Sequence, residues 1–353
     1  MNKEKTRVFY LDIIRVFSIV MVFVLHCICD YYNNSQNAGK ALWTVLSFVQ
    51  ELTRTGVPLF FMISGYLLLS RPIDNVAEFY KKRFMKVFIP FIIYDVLYYF
   101  CYTYQNGAEY SVIGFLRELV NNGSAYHLWF IYTILFLYIL IPFMKMIIDK
   151  CDFKLLMLFF VITIFQTTIK PFINSVANGY ITFYFTPDAM FGYFGYMLLG
   201  YILGSYDITV KIRNIIYLAG ISFFVIIPVL SMRSVIGGGD YLFHGGYMLN
   251  HYAEAAAIFV FCKYNMNRKS TIIKSLSSVS FGAYFIHVFI LIFLRRYGFD
   301  ARPSLQMVYW IIMTTILSFL WGFIEKFITT LIRKGNRKNE KNNINSSYTN
   351  ISI

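Results

Sequence analysis

Long apolar runs separated by short polar stretches dominate the chain from its start to about residue 330. The first of them, LDIIRVFSIVMVFVLHC at 11–27, is typical. Runs of about 17–25 apolar residues are long enough to cross a hydrocarbon core of roughly 30 Å as helices. An isolated strand would leave its backbone groups unpaired in lipid, so helix is the state expected for each. The pattern predicts ten spans, at 8–28, 45–69, 84–104, 127–148, 153–170, 188–205, 213–232, 249–265, 277–296 and 306–330. The fold class expected is therefore all-α, a polytopic membrane helix bundle of about ten transmembrane helices in one domain over 1–330. Segment 71–83 mixes charged and apolar residues and predicts a short interfacial helix. From 331 to 353 the chain turns polar and Asn-rich, a composition that buries too little surface to order itself, and a disordered cytoplasmic tail is expected.

Composition agrees with this pattern. The 353 residues are 58% hydrophobic, 20% aromatic and 14% charged, and mean hydropathy is +0.57. Soluble chains are typically about a quarter charged. The net charge of +14 would suit a nucleic-acid partner if it were clustered on one soluble face, but its distribution speaks against one. Lys and Arg gather in the leader (Lys3, Lys5, Arg7), in alternate loops and in the tail. The opposite side carries only Lys40, Arg117, Lys170, Arg233, Arg295, Arg296 and Arg302. That bias is the positive-inside pattern, and it predicts a multi-pass membrane protein with both termini cytoplasmic. The loop with Arg295, Arg296 and Arg302 runs against the rule. The first span is too long, and too interrupted by Arg15, to be a cleaved signal peptide. The five cysteines form no CxxC and no metal-ligand spacing, so no metal and no bound cofactor is expected.

Ionisable residues inside the spans are costly, about 2.5–3.5 kcal/mol for an Arg at a helix centre, and usually face a bundle interior or an aqueous cavity. Arg15 and His26 are eleven positions apart. At 100° per residue they return to within about 20° of one azimuth, with a rise of roughly 16 Å. They share one face, half a bilayer apart, and Asp12 is an i,i+3 partner for Arg15. The second span brings Arg54, and the fourth brings His127 and Trp129, to about the depth of His26. These groups are candidates for one outer-half pocket. Lys81, Lys82, Arg83 and Lys86 at the opening of the third span suit a polyphosphate, or serve as an ordinary basic anchor. Asp95, His251, Glu254 and His287 are further embedded polar groups for which structural and functional roles are equally open.

Five ordered blocks then resemble the integral-membrane acyltransferase-3 family. They are YLDIIRVFSIVMVFVLH (10–26), GVPLFFMISGYLLL (56–69), KKRFMKVFIP (81–90), YHLWFIYTILFLYILIP (126–142) and SFGAYFIHVFI (280–290). Within the family, the wording of the second and fourth blocks is similar to the branch that O-acetylates enterobacterial common antigen. The resemblance implies acyl-CoA, usually acetyl-CoA, as co-substrate. The implied acceptor is a hydroxyl of a cell-surface glycan or its lipid-linked precursor. It implies His26 as the catalytic histidine, Arg15 as its partner, and Arg83 with Lys86, beside Lys82, as the acyl-CoA contact. Lys86 stands where many members carry Arg, which keeps the charge and loses the bidentate fork. Arg54, His127, Trp129 and His287 are then candidates for substrate or oxyanion contacts, with Asp12 supporting Arg15. The competing expectation is a glycan transporter or flippase whose polar groups line a path, although no internal repeat is evident. The acceptor's identity and the oligomeric state are not legible in the sequence.

Overall fold

A computed structural model describes residues 7–121, 123–169, 188–239, 248–298 and 301–349, with the backbone alone for 333–349. Lys3, Lys5, Lys170 and tail residues 350–353 lie outside the described residues, as do the side chains of the basic positions from Arg333 onward.

The described residues are helical and contain no strand. In chain order the helices are α1 (Phe9–Asn33), α2 (Ala41–Arg54), α3 (Gly56–Leu69), α4 (Val76–Arg83) and α5 (Ile89–Gln105). There follow α6 (Val112–Val120), α7 (Trp129–Ile148), α8 (Phe153–Ile164), α9 (Asp188–Ser205) and α10 (Val210–Ile236). The last three are α11 (Leu249–Asn265), α12 (Thr271–Tyr297) and α13 (Pro303–Thr349). Among the described residues, seven helical stretches are long and apolar enough to cross a membrane. The spans predicted at 153–170, 188–205 and 249–265 correspond to the shorter helices α8, α9 and α11.

Side chains cap several helix starts where an apolar run meets polar sequence. Asn75, Asp152, Thr209 and Ser270 each accept a backbone N–H of the first turn, satisfying donors the helix itself leaves free. The interfacial segment expected at 71–83 contains α4. A π-helical turn, Phe84–Phe88, joins α4 to α5. Pro90 lacks the N–H that would reach the Lys86 carbonyl, a local reason for the widened turn.

One departure from the predicted pattern has an evident cause. The span predicted at 45–69 is broken at Thr55 into α2 and α3. Pro58 has no N–H for the Arg54 carbonyl, and the Thr55 amide and hydroxyl both turn back to the Leu52 carbonyl, at 3.1 and 2.6 Å. α13 continues as backbone helix through polar residues up to Thr349.

α1 is central and packs on α2, α3, α11, α12 and α13. α3 and α9 approach closely through a reciprocal pair of glycines. A Cβ on Gly65 would overlap the Met197 backbone, and one on Gly200 would overlap the Met62 backbone. Small residues permit such contact where lipid offers no hydrophobic drive between helices. Replacing Gly65 with Leu should therefore push the two backbones apart and cost about 1–3 kcal/mol or more. Thermal unfolding of the detergent-solubilised protein checks this, and an unchanged midpoint would show that the contact is not tight. The outward faces are apolar, as on α10 with Ile215, Leu218, Ile221 and Val225 exposed, which suits a lipid solvent.

Candidate functional site

The Asp12 carboxylate is buried and organises the first half of α1. It accepts from Arg7 Nε at 2.5 Å and from Ser277 Oγ at 2.6 Å, and its partner within α1 is Arg15 Nη1 at 3.4 Å. Arg15 Nη1 also donates to Ser277 Oγ at 3.0 Å. The i,i+3 pair expected from the sequence is present, within a network joining α1 to α12. Asp12 is thus compensated three times, and Arg15 remains free to face a cavity.

That cavity has a volume of about 620 Å³ and lies between α1, α3, the α4–α5 junction, α7, α12 and α13. Ligand sites typically span about 300–1,000 Å³. Arg15, Arg71, Arg83, Lys86 and Lys326 line it, against the single carboxylate of Glu325. Ser64, Ser278 and Ser280 add hydroxyls, and Phe130 and Tyr284 add aromatic wall. The Arg83 guanidinium lies over the rings of Phe79 and Tyr138, at 5.4 and 5.6 Å. Lys326 Nζ donates to Ser278 Oγ at 2.7 Å. Lys82 is not among the lining residues; it pairs with Glu78 on the exposed face of α4.

Tyr284 links the cavity to a second polar centre. Its ring lies 5.5 Å from that of His127 and 5.7 Å from that of His287, and its hydroxyl donates to the His127 carbonyl at 2.6 Å. Three imidazoles meet here. His26 stacks on His287 at 5.3 Å, and His127 meets His287 edge-on at 5.0 Å. Tyr126 stands 5.0 Å from His26, and Phe23 is 5.0 Å from His287. His127 and His287 are fully buried and His26 partly so.

Neighbouring groups fix the His287 ring. A carbonyl only accepts, so Nδ1–H donates to the Tyr284 carbonyl at 2.5 Å. In the neutral ring this leaves the lone pair on Nε2, which has no hydrogen-bond partner among the described residues. The Tyr98 hydroxyl braces the same turn: it donates to the Phe285 carbonyl at 2.7 Å and accepts from the Phe289 amide at 3.1 Å. It thus bridges two groups that ordinarily pair along a helix. Asp95 holds the loop that presents His127, accepting from the Ser124 amide at 2.6 Å.

The other expected site residues are distributed differently. Trp129 packs on Tyr193, with ring centroids 5.4 Å apart. Arg54 interacts electrostatically with Glu51. The guanidinium holding α1 at His26 is Arg295, whose Nη2 donates to the His26 carbonyl at 2.8 Å while Nη1 pairs with Asp30 at 2.8 Å. Sequence reasoning did not select Arg295, although its position against the positive-inside bias marked it. Arg71 and Lys326 were not among the site residues expected from the sequence, and neither were Tyr98 and Tyr284.

The site is a cavity lined by five cationic side chains, and its wall abuts an imidazole cluster with a free, oriented lone pair. A family described as acyltransferase domain matches residues 8–324. Two curated proteins are also similar: an amino-acid racemase of Enterococcus faecalis, 29% identical over 127 residues, and a serine/alanine racemase of Enterococcus gallinarum, 28% identical over 130 residues. Each match covers 34% of this chain and 17% of the racemase, so the chain spans a minor part of those relatives. No solved structure matches the chain.

Proposed function

Because the chain belongs to the acyltransferase family that matches residues 8–324, we propose that it moves an acetyl or other short acyl group from acyl-CoA to a hydroxyl. The acceptor in this reading is a cell-surface glycan or its lipid-linked precursor. The observation that carries the proposal is the continuity of the two centres: five cations line a cavity whose Tyr284 wall touches two of the three clustered imidazoles.

In the mechanism, Arg15, Arg83 and Lys86, with Arg71 and Lys326, hold the phosphates of the donor, and its thioester reaches toward Tyr284. His26 accepts the proton of the acceptor hydroxyl as that oxygen attacks the thioester carbonyl. The C–S bond breaks, the thiolate of CoA leaves, and the proton returns to it from the imidazolium. In this reading His287, stacked on His26 with its Nε2 lone pair unpartnered among the described residues, shares the proton. This reading gives Arg54 no oxyanion role; its guanidinium is attracted to Glu51, three positions earlier on α2. Arg295 instead acts as a positioning residue through the His26 carbonyl.

The test is transfer of labelled acetyl from acetyl-CoA in membranes containing the protein, with release of free CoA measured on purified protein. Acceptor-dependent CoA release is the expected result. Glycan movement across the membrane without CoA release would replace the acyltransferase reading with a transporter.

A further inference from the structure

Away from the cavity and the imidazole cluster, a second group of ionisable side chains is buried where the end of α2 meets the start of α11. Glu51, Asn250, His251 and Glu254 are each no more than 4% exposed. His251 Nδ1 lies 3.4 Å from Glu254 Oε2 and 3.7 Å from Glu51 Oε1. These three donor atoms all fall within 4.8 Å of one another. Asn250 Nδ2 lies 2.6 Å from Glu51 Oε1 and 3.3 Å from the same Nδ1.

With both carboxyls ionised, hydrogen bonding does not satisfy this arrangement. An imidazole nitrogen has one in-plane position, holding either one proton or one lone pair. Two carboxylates converge on Nδ1, so at least one oxygen faces another electron-rich atom. Two further oxygens of the cluster, Glu254 Oε1 and Asn250 Oδ1, have no hydrogen-bond partner among the described residues. Buried oxygens left this way cost about 1–3 kcal/mol each. Arg54 brings one positive charge to Glu51, against two carboxyl groups.

The separations match a shared cation. Metal–ligand bonds of about 2.0–2.2 Å with angles near 90–110° place neighbouring donor atoms about 2.8–3.6 Å apart, so the 3.4 Å separation falls inside that range and the 3.7 Å separation just above it. We propose that Glu51, His251 and Glu254 form a site for one divalent first-row transition cation of the Zn²⁺ or Mn²⁺ type. Imidazole with two carboxylates favours such ions over Ca²⁺ and Mg²⁺, which take all-oxygen shells. The free oxygens of Glu254 and Asn250 offer further coordination. The cation joins α2 to α11 and shares no residue with the acyl-transfer machinery, so the inference stands whether or not that reading holds.

The test uses the full chain, without a polyhistidine tag, purified in mild detergent. Elemental analysis should find about one Zn or Mn per chain. After chelation, the thermal midpoint should fall, then recover on adding Zn²⁺ or Mn²⁺ and not Mg²⁺. Glu254→Gln and His251→Ala should weaken metal binding by about tenfold or more. A metal-free protein whose unfolding ignores all added cations would overturn the proposal and leave a proton shared by the two carboxyls. Unchanged metal content in both variants would overturn it as well. Should either variant fail to fold, the chelation and re-addition series on the unmodified chain decides alone.

Discussion

Acyl transfer by a His26→Ala variant is expected to fall by about 10²–10⁴-fold, the usual contribution of a positioned general base. The loss should be confined to chemistry. His26 is partly buried, and in the described structure its ring meets the rings of Tyr126 and His287, whereas the cations proposed to hold the donor line the separate cavity. Binding of CoA, measured on purified protein, should therefore change little. His287→Gln should also be strongly impaired, because the Nδ1–H bond to the Tyr284 carbonyl orients the lone pair on Nε2. The two imidazoles are stacked and proposed to handle one proton, so the double variant should be scarcely worse than the more damaged single variant, as for residues that act as a unit. Wild-type transfer by His26→Ala would remove that histidine from the mechanism. Multiplicative losses in the double variant would show that the rings act independently.

The parts of this site that were legible in the sequence are those set by one helix. Arg15 and His26 share a face because helical periodicity requires it, and Asp12 reaches Arg15 because three residues make nearly one turn. Helical state was readable for a similar reason: in lipid, backbone groups must be satisfied within the segment. Relations between helices were not encoded this way. Depth arguments put Arg54 at about the level of His26, but depth says nothing about azimuth; on its own helix the guanidinium is attracted to Glu51, three positions earlier. His287 was noticed as an embedded polar group, yet its stacking on His26 depends on α1 packing against α12, which no local pattern reveals. Lys82 illustrates the limit within a single basic run. It and Arg83 are adjacent, but Lys82 pairs with Glu78 while Arg83 lines the cavity. Glu51 escaped attention for the same reason, since its partners lie about 200 positions away on α11.

The second large effect concerns the donor. Arg15→Ala is expected to raise the KM for acyl-CoA by about 10–150-fold, the equivalent of roughly 1.5–3 kcal/mol for one hydrogen bond to a charged group. Stability should suffer less, because Asp12 keeps Arg7 at 2.5 Å and Ser277 at 2.6 Å after the guanidinium is gone. Arg15→Lys should fall between the two, retaining charge without the planar fork that grips phosphate. Lys82→Ala provides the internal control: its partner is Glu78 and it is absent from the cavity wall, so its KM should stay near wild type. Ionic strength gives an independent reading, because cation–phosphate attraction is screened within about 10 Å at 0.1 M salt. Rising salt should weaken donor binding to the unmodified protein more than to Arg15→Ala, which has already lost one of the attracting charges. A fall in kcat with unchanged KM would instead assign Arg15 to the reacting groups, and the cavity would no longer be the donor site.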